Sequence, residues 1–424
     1  MAAAADEHQP LHILFFPYIA PGHLIPVADM AGLFASRGVK CTILTTPANA
    51  AVIRSAVDRA NAALRRNNAV PAIDIATVPF PDVGLPPGVE SVTGISSESD
   101  IYKLLDGSNR LREPLERFLA ERRPDAVFAD SFFPWAIDAA SQHGVPRLSF
   151  LGTSMLARAC THALLRHNPA ADGGDADVVT LPGLPHRVAL RRSQLLDRDK
   201  HRFEWNYYEL VDDADARSYG EVFNSFADLA PSCVEHYRAE LGRRVWLVGP
   251  LAHARTDDNI AGAGRLSADD ERCLRWLDGK PTGSVVYASF GTLTHFSPAE
   301  RRELARGLQL SGKNFLWVMG GEEGTNASSQ WMPDGFAELV AAEDQRGLIF
   351  RGWAPQTRIL NHSAVGAFVT HCGWNSVLEA VSAGRGEAMC KCRCQLTPTT
   401  CSKIKGTSPF TTVNQANDPV ELAC

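Results

Sequence analysis

The stretch HILFFPYIAPGHLIPVADMAGLFASRGVKCTIL, residues 12–44, holds a complete strand–helix–strand unit. His12–Phe16 and Val39–Leu44 are short apolar runs rich in strand-forming residues. Between them Leu24–Arg37 has helical spacing and ends at Gly38, a residue suited to a helix C-cap. Strands that are apolar nearly throughout predict a parallel sheet covered on both faces. The signal recurs at Ile73–Val78, Ala126–Ala129, Arg147–Leu151, Glu221–Asn224 and Val245–Gly249. A further helix is predicted over Phe132–His143, closed by Gly144.

A second alternation follows. Ser284–Phe290, Phe315–Met319, Leu348–Arg351 and Gly366–Thr370 read as strands, and Pro298–Gln309 and Asn375–Ala383 as helices. Pro250–Ser267, between the two series, has no apolar period. The expected organisation is α/β, with two Rossmann-like domains over 1–250 and 270–384, a linker at 251–269 and an irregular tail at 385–424. At 424 residues the chain is long enough for two such domains and for a sizeable core.

Composition narrows the function classes. With 45% hydrophobic and 21% charged residues, wholesale disorder and disulfide-scaffold architectures are excluded. A net charge of −6 gives no basic footprint for nucleic acid. No run approaches the ~20 apolar residues that span a bilayer. The opening Met1–His8 lacks a cationic segment, and Ile13–Ala20 is short and broken by Pro17, so it reads as a strand and not as a signal peptide. Ahead of the tail, five cysteines are scattered singly, as in reduced cytosolic chains.

Four constellations carry chemistry. Pro21-Gly22-His23 follows the first strand, where an open parallel sheet places its ligand crevice. A histidine there suits proton abstraction from a hydroxyl. Asp130 ends another apolar strand. It is either the N-cap of the helix at 132–143 or the carboxylate that fixes the His23 tautomer. Ser289-Phe290-Gly291-Thr292 is a small loop after a strand, either a turn or a backbone cradle for phosphate.

The fourth is the most specific: Trp353-Ala354-Pro355-Gln356, then His371-Cys372-Gly373-Trp374-Asn375-Ser376 and Glu379. Its second part joins a strand to a helix, so a helix N-terminus and the donors of His371, Asn375 and Ser376 suit a diphosphate. Trp353 offers a face for a base, and Glu379 an acceptor for a ribose diol. Ser376-x-x-Glu379 also fits a capping box, and both tryptophans also fit core packing.

These residues carry a resemblance. Trp353–Gln356 and His371–Glu379 resemble most of the signature box of the plant secondary-product glycosyltransferases. Phe16-Pro17-Tyr18, Pro21-Gly22-His23 and the Phe132–Trp135 run resemble the same family's N-terminal half. The chain is thus similar to the plant family 1 UDP-glycosyltransferases over about residues 10 to 384. The resemblance implies a GT-B architecture of two Rossmann-like domains facing across a cleft. The acceptor would bind mainly to the N-terminal domain and the UDP-sugar to the C-terminal one. His23 would be the general base and Asp130 its partner, in an inverting displacement. UDP-sugar is the donor, with glucose the first candidate, and the acceptor is a small phenolic, flavonoid or terpenoid. The donor would be held by Ser289, Gly291, Thr292, Trp353, Ala354, Gln356, His371, Gly373, Trp374, Asn375, Ser376 and Glu379. No metal, nucleic acid or membrane partner is implied, and the enzyme would be a cytoplasmic monomer.

From Arg385 onward the composition changes, and the tail Arg385–Cys424 lacks the family's acidic–Gln pair that contacts the sugar. It reads as a truncated or aberrant end, so the second domain is expected to be incomplete and the transferase weak or inactive. Its C-x-C-x-C run, Cys390–Cys394, is poorly spaced for a tetrahedral metal site. The competing reading is an impaired product that only binds small molecules or a partner. A nucleotide-sugar epimerase on the same two-domain fold fits less well, because His23 is placed as an acceptor base.

Overall fold

The computed structural model describes residues 10–66, 73–169, 174, 177–254, 267–294, 296–319, 331–341, 346–384 and 388–390. The chain divides into two compact units, Met1–Gly264 and Arg265–Cys424. In the first, the apolar runs become β1 (His12–Phe16), β2 (Lys40–Thr45), β3 (Ile73–Thr77), β4 (Ala126–Asp130) and β5 (Arg147–Phe150). A hairpin of β6 (Val178–Leu181) and β7 (Val188–Arg191) follows, then β8 (Gly220–Phe223) and β9 (Val245–Leu247). All but the hairpin form one seven-stranded parallel sheet, ordered β3-β2-β1-β4-β5-β8-β9.

Alternate residues of a central strand feed opposite faces of this sheet. Ile13 and Phe15 of β1 join Phe128 and Ile43 in one buried cluster. Leu14 and Phe16 join Val127, Ala129, Leu115 and Phe133 in another. Both faces are therefore dry, and this is why these strands lack the polar alternation of a half-exposed sheet. The antiparallel β6–β7 pair stands apart from this rule, and the sequence reading did not anticipate it.

The second unit repeats the plan. Its sheet is β12-β11-β10-β13-β14, with β10 (Val285–Ser289), β11 (Asn314–Met319), β12 (Gly347–Arg351), β13 (Val365–Thr370) and β14 (Ala388–Cys390), all parallel. Tyr287 and Phe368 stack at 4.9 Å between centroids within the core of one face. Phe315, Trp317 and Phe336 fill the other.

The helices differ from expectation at instructive places. Helix α1 (Pro21–Ala35) starts three residues earlier than predicted, because Pro21 occupies its first turn, where a missing N–H costs nothing. The helix expected at 132–143 covers only Ala136–Gln142. Residues 131–135 instead turn on themselves, with Phe133 N–H bonded to the Asp130 carbonyl and Ala136 N–H to that of Phe133. The tail was expected to be irregular, yet Ala388–Cys390 pairs in register with Phe368–Thr370 as a fifth strand. The rest of the tail, including Cys392, Cys394 and Cys401, lies outside the described residues.

Cys41, Cys160, Cys233 and Cys273 are buried and not disulfide-bonded. Cys372 is disulfide-bonded and departs from the pattern of single reduced thiols. No helix among the described residues is long and apolar enough to cross a membrane.

Candidate active site

Each sheet has a point where the chain, having extended it in one direction, crosses over to extend it in the other. In the first unit this switch lies between β1 and β4, and in the second between β10 and β13. Loops diverge at such a point and leave a crevice at the strand carboxyl ends. His23 and Asp130 lie at the first of these places and Ser289–Thr292 and His371–Glu379 at the second, while Trp353, Ala354 and Gln356 follow the edge strand β12.

In the first unit, Phe16 pairs with Ala129, so the loop after β1 and the end of β4 lie side by side. That pairing brings His23, third residue of α1, to Asp130, last residue of β4. His23 Nδ1 lies 2.6 Å from Asp130 Oδ2, and the carboxylate side chain is fully buried. Asp130 Oδ1 accepts from the Phe132 N–H at 2.9 Å. The N-cap reading of Asp130 is thus replaced: the helix begins at Ala136, and both carboxylate oxygens are committed elsewhere. The Asp130 backbone is also fixed, since Arg147 Nη2 donates to its carbonyl at 3.1 Å. Arg147 is itself buried and held by Asp215 and Ser218.

Aromatic rings surround the imidazole. Tyr18 and Phe132 lie 5.7 and 5.4 Å from His23 between centroids. Tyr207 Oη donates to the Phe132 carbonyl at 2.6 Å, which pins the turn that carries this ring. With Nδ1 engaged by a carboxylate, Nε2 is the nitrogen available to a substrate hydroxyl. Tyr207 and Arg147 were missed from sequence. An arginine inside an apolar strand was the only signal for either.

In the second unit, the weak Ser289–Thr292 motif and the strong His371–Glu379 motif meet. Ser289 pairs with Thr370 at the ends of neighbouring strands. Gly291 and Gly373 bracket the His371 ring: a β-carbon at Gly291 would lie 2.6 Å from the imidazole, and one at Gly373 would also collide with it. Gly291 adopts φ 72°, a second reason for glycine there. Burial pushes the His371 imidazole down, so its neutral form persists to lower pH than a free imidazole's. Thr292 is exposed at the loop's surface.

Gly373 is the N-cap of the helix Trp374–Ser382, so Trp374, Asn375 and Ser376 form its first turn. Ser376 is third in the helix, not the cap, so the capping-box reading of Ser376 and Glu379 fails. Gln356 takes their side chains instead. Its Nε2 donates to Ser376 Oγ at 3.1 Å and to Glu379 Oε2 at 2.7 Å, and Tyr287 Oη donates to its Oε1 at 3.1 Å. Trp353 is 64% exposed, which rules out core packing for it, while Ala354 next to it is buried.

Comparison with known proteins bears on the family and the fold. Residues 208–390 match the family model described as UDP-glucoronosyl and UDP-glucosyl transferase. A scopoletin glucosyltransferase of Nicotiana tabacum is 41% identical over 382 residues, 88% of this chain and 78% of that protein. The crystal structure of Glycyrrhiza uralensis UGT73P12 with glycyrrhetinic acid 3-O-monoglucuronide superposes with a TM-score of 0.78 at 36% identity, over 88% of this chain and 75% of that one. Medicago truncatula UGT71G1, solved with UDP-glucose, gives a TM-score of 0.69 at 25% identity, over 89% and 79%. Identity of this extent over most of both chains, on two Rossmann-like units, makes the protein an enzyme of the plant family 1 UDP-glycosyltransferases, with the GT-B fold.

Proposed function

We propose that the enzyme transfers a hexose, glucose first, from a UDP-sugar to a hydroxyl of a small lipophilic acceptor of the phenolic, flavonoid or terpenoid kind. The observation that carries this reading is the His23–Asp130 pair, set among aromatic rings at the switch point of the first sheet. In the reaction, His23 Nε2 takes the proton of the acceptor hydroxyl as that oxygen attacks the anomeric carbon. The bond from that carbon to the diphosphate breaks, its electrons leave with UDP, and the configuration inverts. Asp130 stabilises the imidazolium that forms. The rings of Tyr18 and Phe132 suit a flat apolar acceptor, in keeping with the scopoletin of the Nicotiana tabacum relative.

On this reading the uracil lies on Trp353 beside Ala354. The diphosphate lies against Ser289, Gly291, Thr292 and the turn His371–Ser376, and the ribose against Glu379. The N-terminus of the helix Trp374–Ser382 and neutral donors offset the diphosphate charge, a scheme that requires no metal. We place the enzyme in the cytosol as a monomer, as the family resemblance implies.

Incubation with UDP-glucose and a panel of hydroxycoumarins and flavonols should yield UDP and a glucoside in equal amounts. Binding of both substrates without any transfer, or release of UDP with free glucose only, would refute the proposal. Trp353→Ala should weaken UDP binding by about 1–3 kcal/mol, the range for loss of base–aromatic stacking. Calorimetry giving the same UDP affinity for both proteins would refute the placement of the base.

A further inference from the structure

We propose that Tyr287 is a positioning residue of the donor site. Acting through Gln356, it sets the Glu379 carboxylate for the ribose diol, and so governs how well the enzyme tells ribose from 2′-deoxyribose in its donor. The inference rests on the placement of the ribose at Glu379 given above.

Tyr287 lies in the middle of β10, is fully buried, and packs as a core residue against Phe368. Packing alone would be served by phenylalanine. The hydroxyl must therefore have other work, and a buried phenol requires a partner. Its Oη donates to Gln356 Oε1 at 3.1 Å. Burial raises the Tyr287 hydroxyl far above the ordinary phenol range, so it stays protonated and remains a donor at any working pH.

That bond anchors the oxygen end of the Gln356 amide. With Oε1 toward Tyr287, the NH₂ group faces Ser376 Oγ and Glu379 Oε2. The reverse orientation would place two acceptors, the amide oxygen and a carboxylate oxygen, 2.7 Å apart. The chain Tyr287–Gln356–Glu379 therefore has one arrangement that satisfies every donor, and its last member is the carboxylate assigned to the ribose. Such preorganisation saves the cost of ordering the carboxylate when the nucleotide binds. On the placement given above, none of Tyr287, Gln356 and Glu379 is assigned to the uracil or the acceptor, so the effect should fall on the sugar of the nucleotide.

The test is calorimetry of full-length Tyr287→Phe with UDP and with 2′-deoxy-UDP. Phenylalanine keeps the ring stack on Phe368, so the fold is preserved, which thermal unfolding checks. Wild type should prefer UDP to its 2′-deoxy analogue. The variant should lose roughly three- to tenfold in UDP affinity, the worth of one neutral hydrogen bond. It should lose less for 2′-deoxy-UDP, so that the preference narrows, with acceptor KM unchanged. Unchanged UDP affinity, or equal loss for both ligands, would overturn the inference. Glu379→Gln separates this from the underlying reading. If that variant keeps the full preference for UDP, the ribose placement is wrong. If it loses the preference while Tyr287→Phe retains it, Tyr287 alone has been misassigned.

Discussion

His23→Ala should lower kcat by about 10²–10⁴-fold, the usual contribution of a general base, and leave UDP affinity near that of the wild type. His23 lies in the first unit and the proposed nucleotide contacts lie in the second, so the two readouts separate. His23 is also part-exposed, at 17% of its side chain, so its truncation leaves no sealed cavity. Steady-state kinetics with UDP-glucose and a hydroxycoumarin, alongside calorimetry with UDP, checks both halves. Near-wild-type turnover by the variant would remove His23 from the mechanism. A parallel loss of UDP binding would instead indicate a damaged fold.

The second large effect is expected at Asp130, and its sign against the alanine variant is informative. Asp130→Asn keeps the shape of the side chain. Its oxygen can still accept from the Phe132 N–H, which directs its NH₂ group at His23 Nδ1. Nδ1 must then accept, the ring proton moves to Nε2, and the nitrogen facing the acceptor can no longer take a proton. The expected loss is on the order of 10²–10⁴-fold in kcat, as for a base locked in the wrong tautomer. Asp130→Ala leaves the tautomer free, so it should be no worse than the asparagine variant once corrected for folded fraction. Turnover by Asp130→Asn within a few-fold of wild type would show that Asp130 serves only as the anchor of the 131–135 turn.

Much of this was legible in the sequence because a parallel sheet buried on both faces writes its strands as uninterrupted apolar runs. His12–Phe16 and Ala126–Ala129 are of that kind, and each becomes a strand within one residue of its expected bounds. The switch-point geometry follows from strand order, so His23 and Asp130, read separately as loop residues, come into contact once β1 and β4 are neighbours. Local rules misled where tertiary partners compete for the same atoms. Asp130 has the look of an N-cap, and Ser376-x-x-Glu379 of a capping box. In each case a distant residue, His23 or Gln356, claims the side chain.

Other features had little signal to read. The 20-residue helix Pro47–Arg66 buries only a thin stripe of Asn49, Ala50, Ile53, Val57 and Leu64, which hardly stands out from its polar face. Tyr287 and Arg147 lie within apolar strands, where a polar atom passes for packing until its partner is seen. The strand Ala388–Cys390 is three residues long and comes from a segment whose composition suggests no element at all. It is held by pairing with β13 and not by local propensity.

The measurement that bears most directly on the central claim is the anomeric configuration of the glucoside made from UDP-α-D-glucose and a hydroxycoumarin, read by proton NMR. A single displacement driven by the His23–Asp130 pair predicts the β-glucoside from the wild type and its near-absence with His23→Ala. Formation of the α-glucoside, or of equal product without His23, would contradict the account.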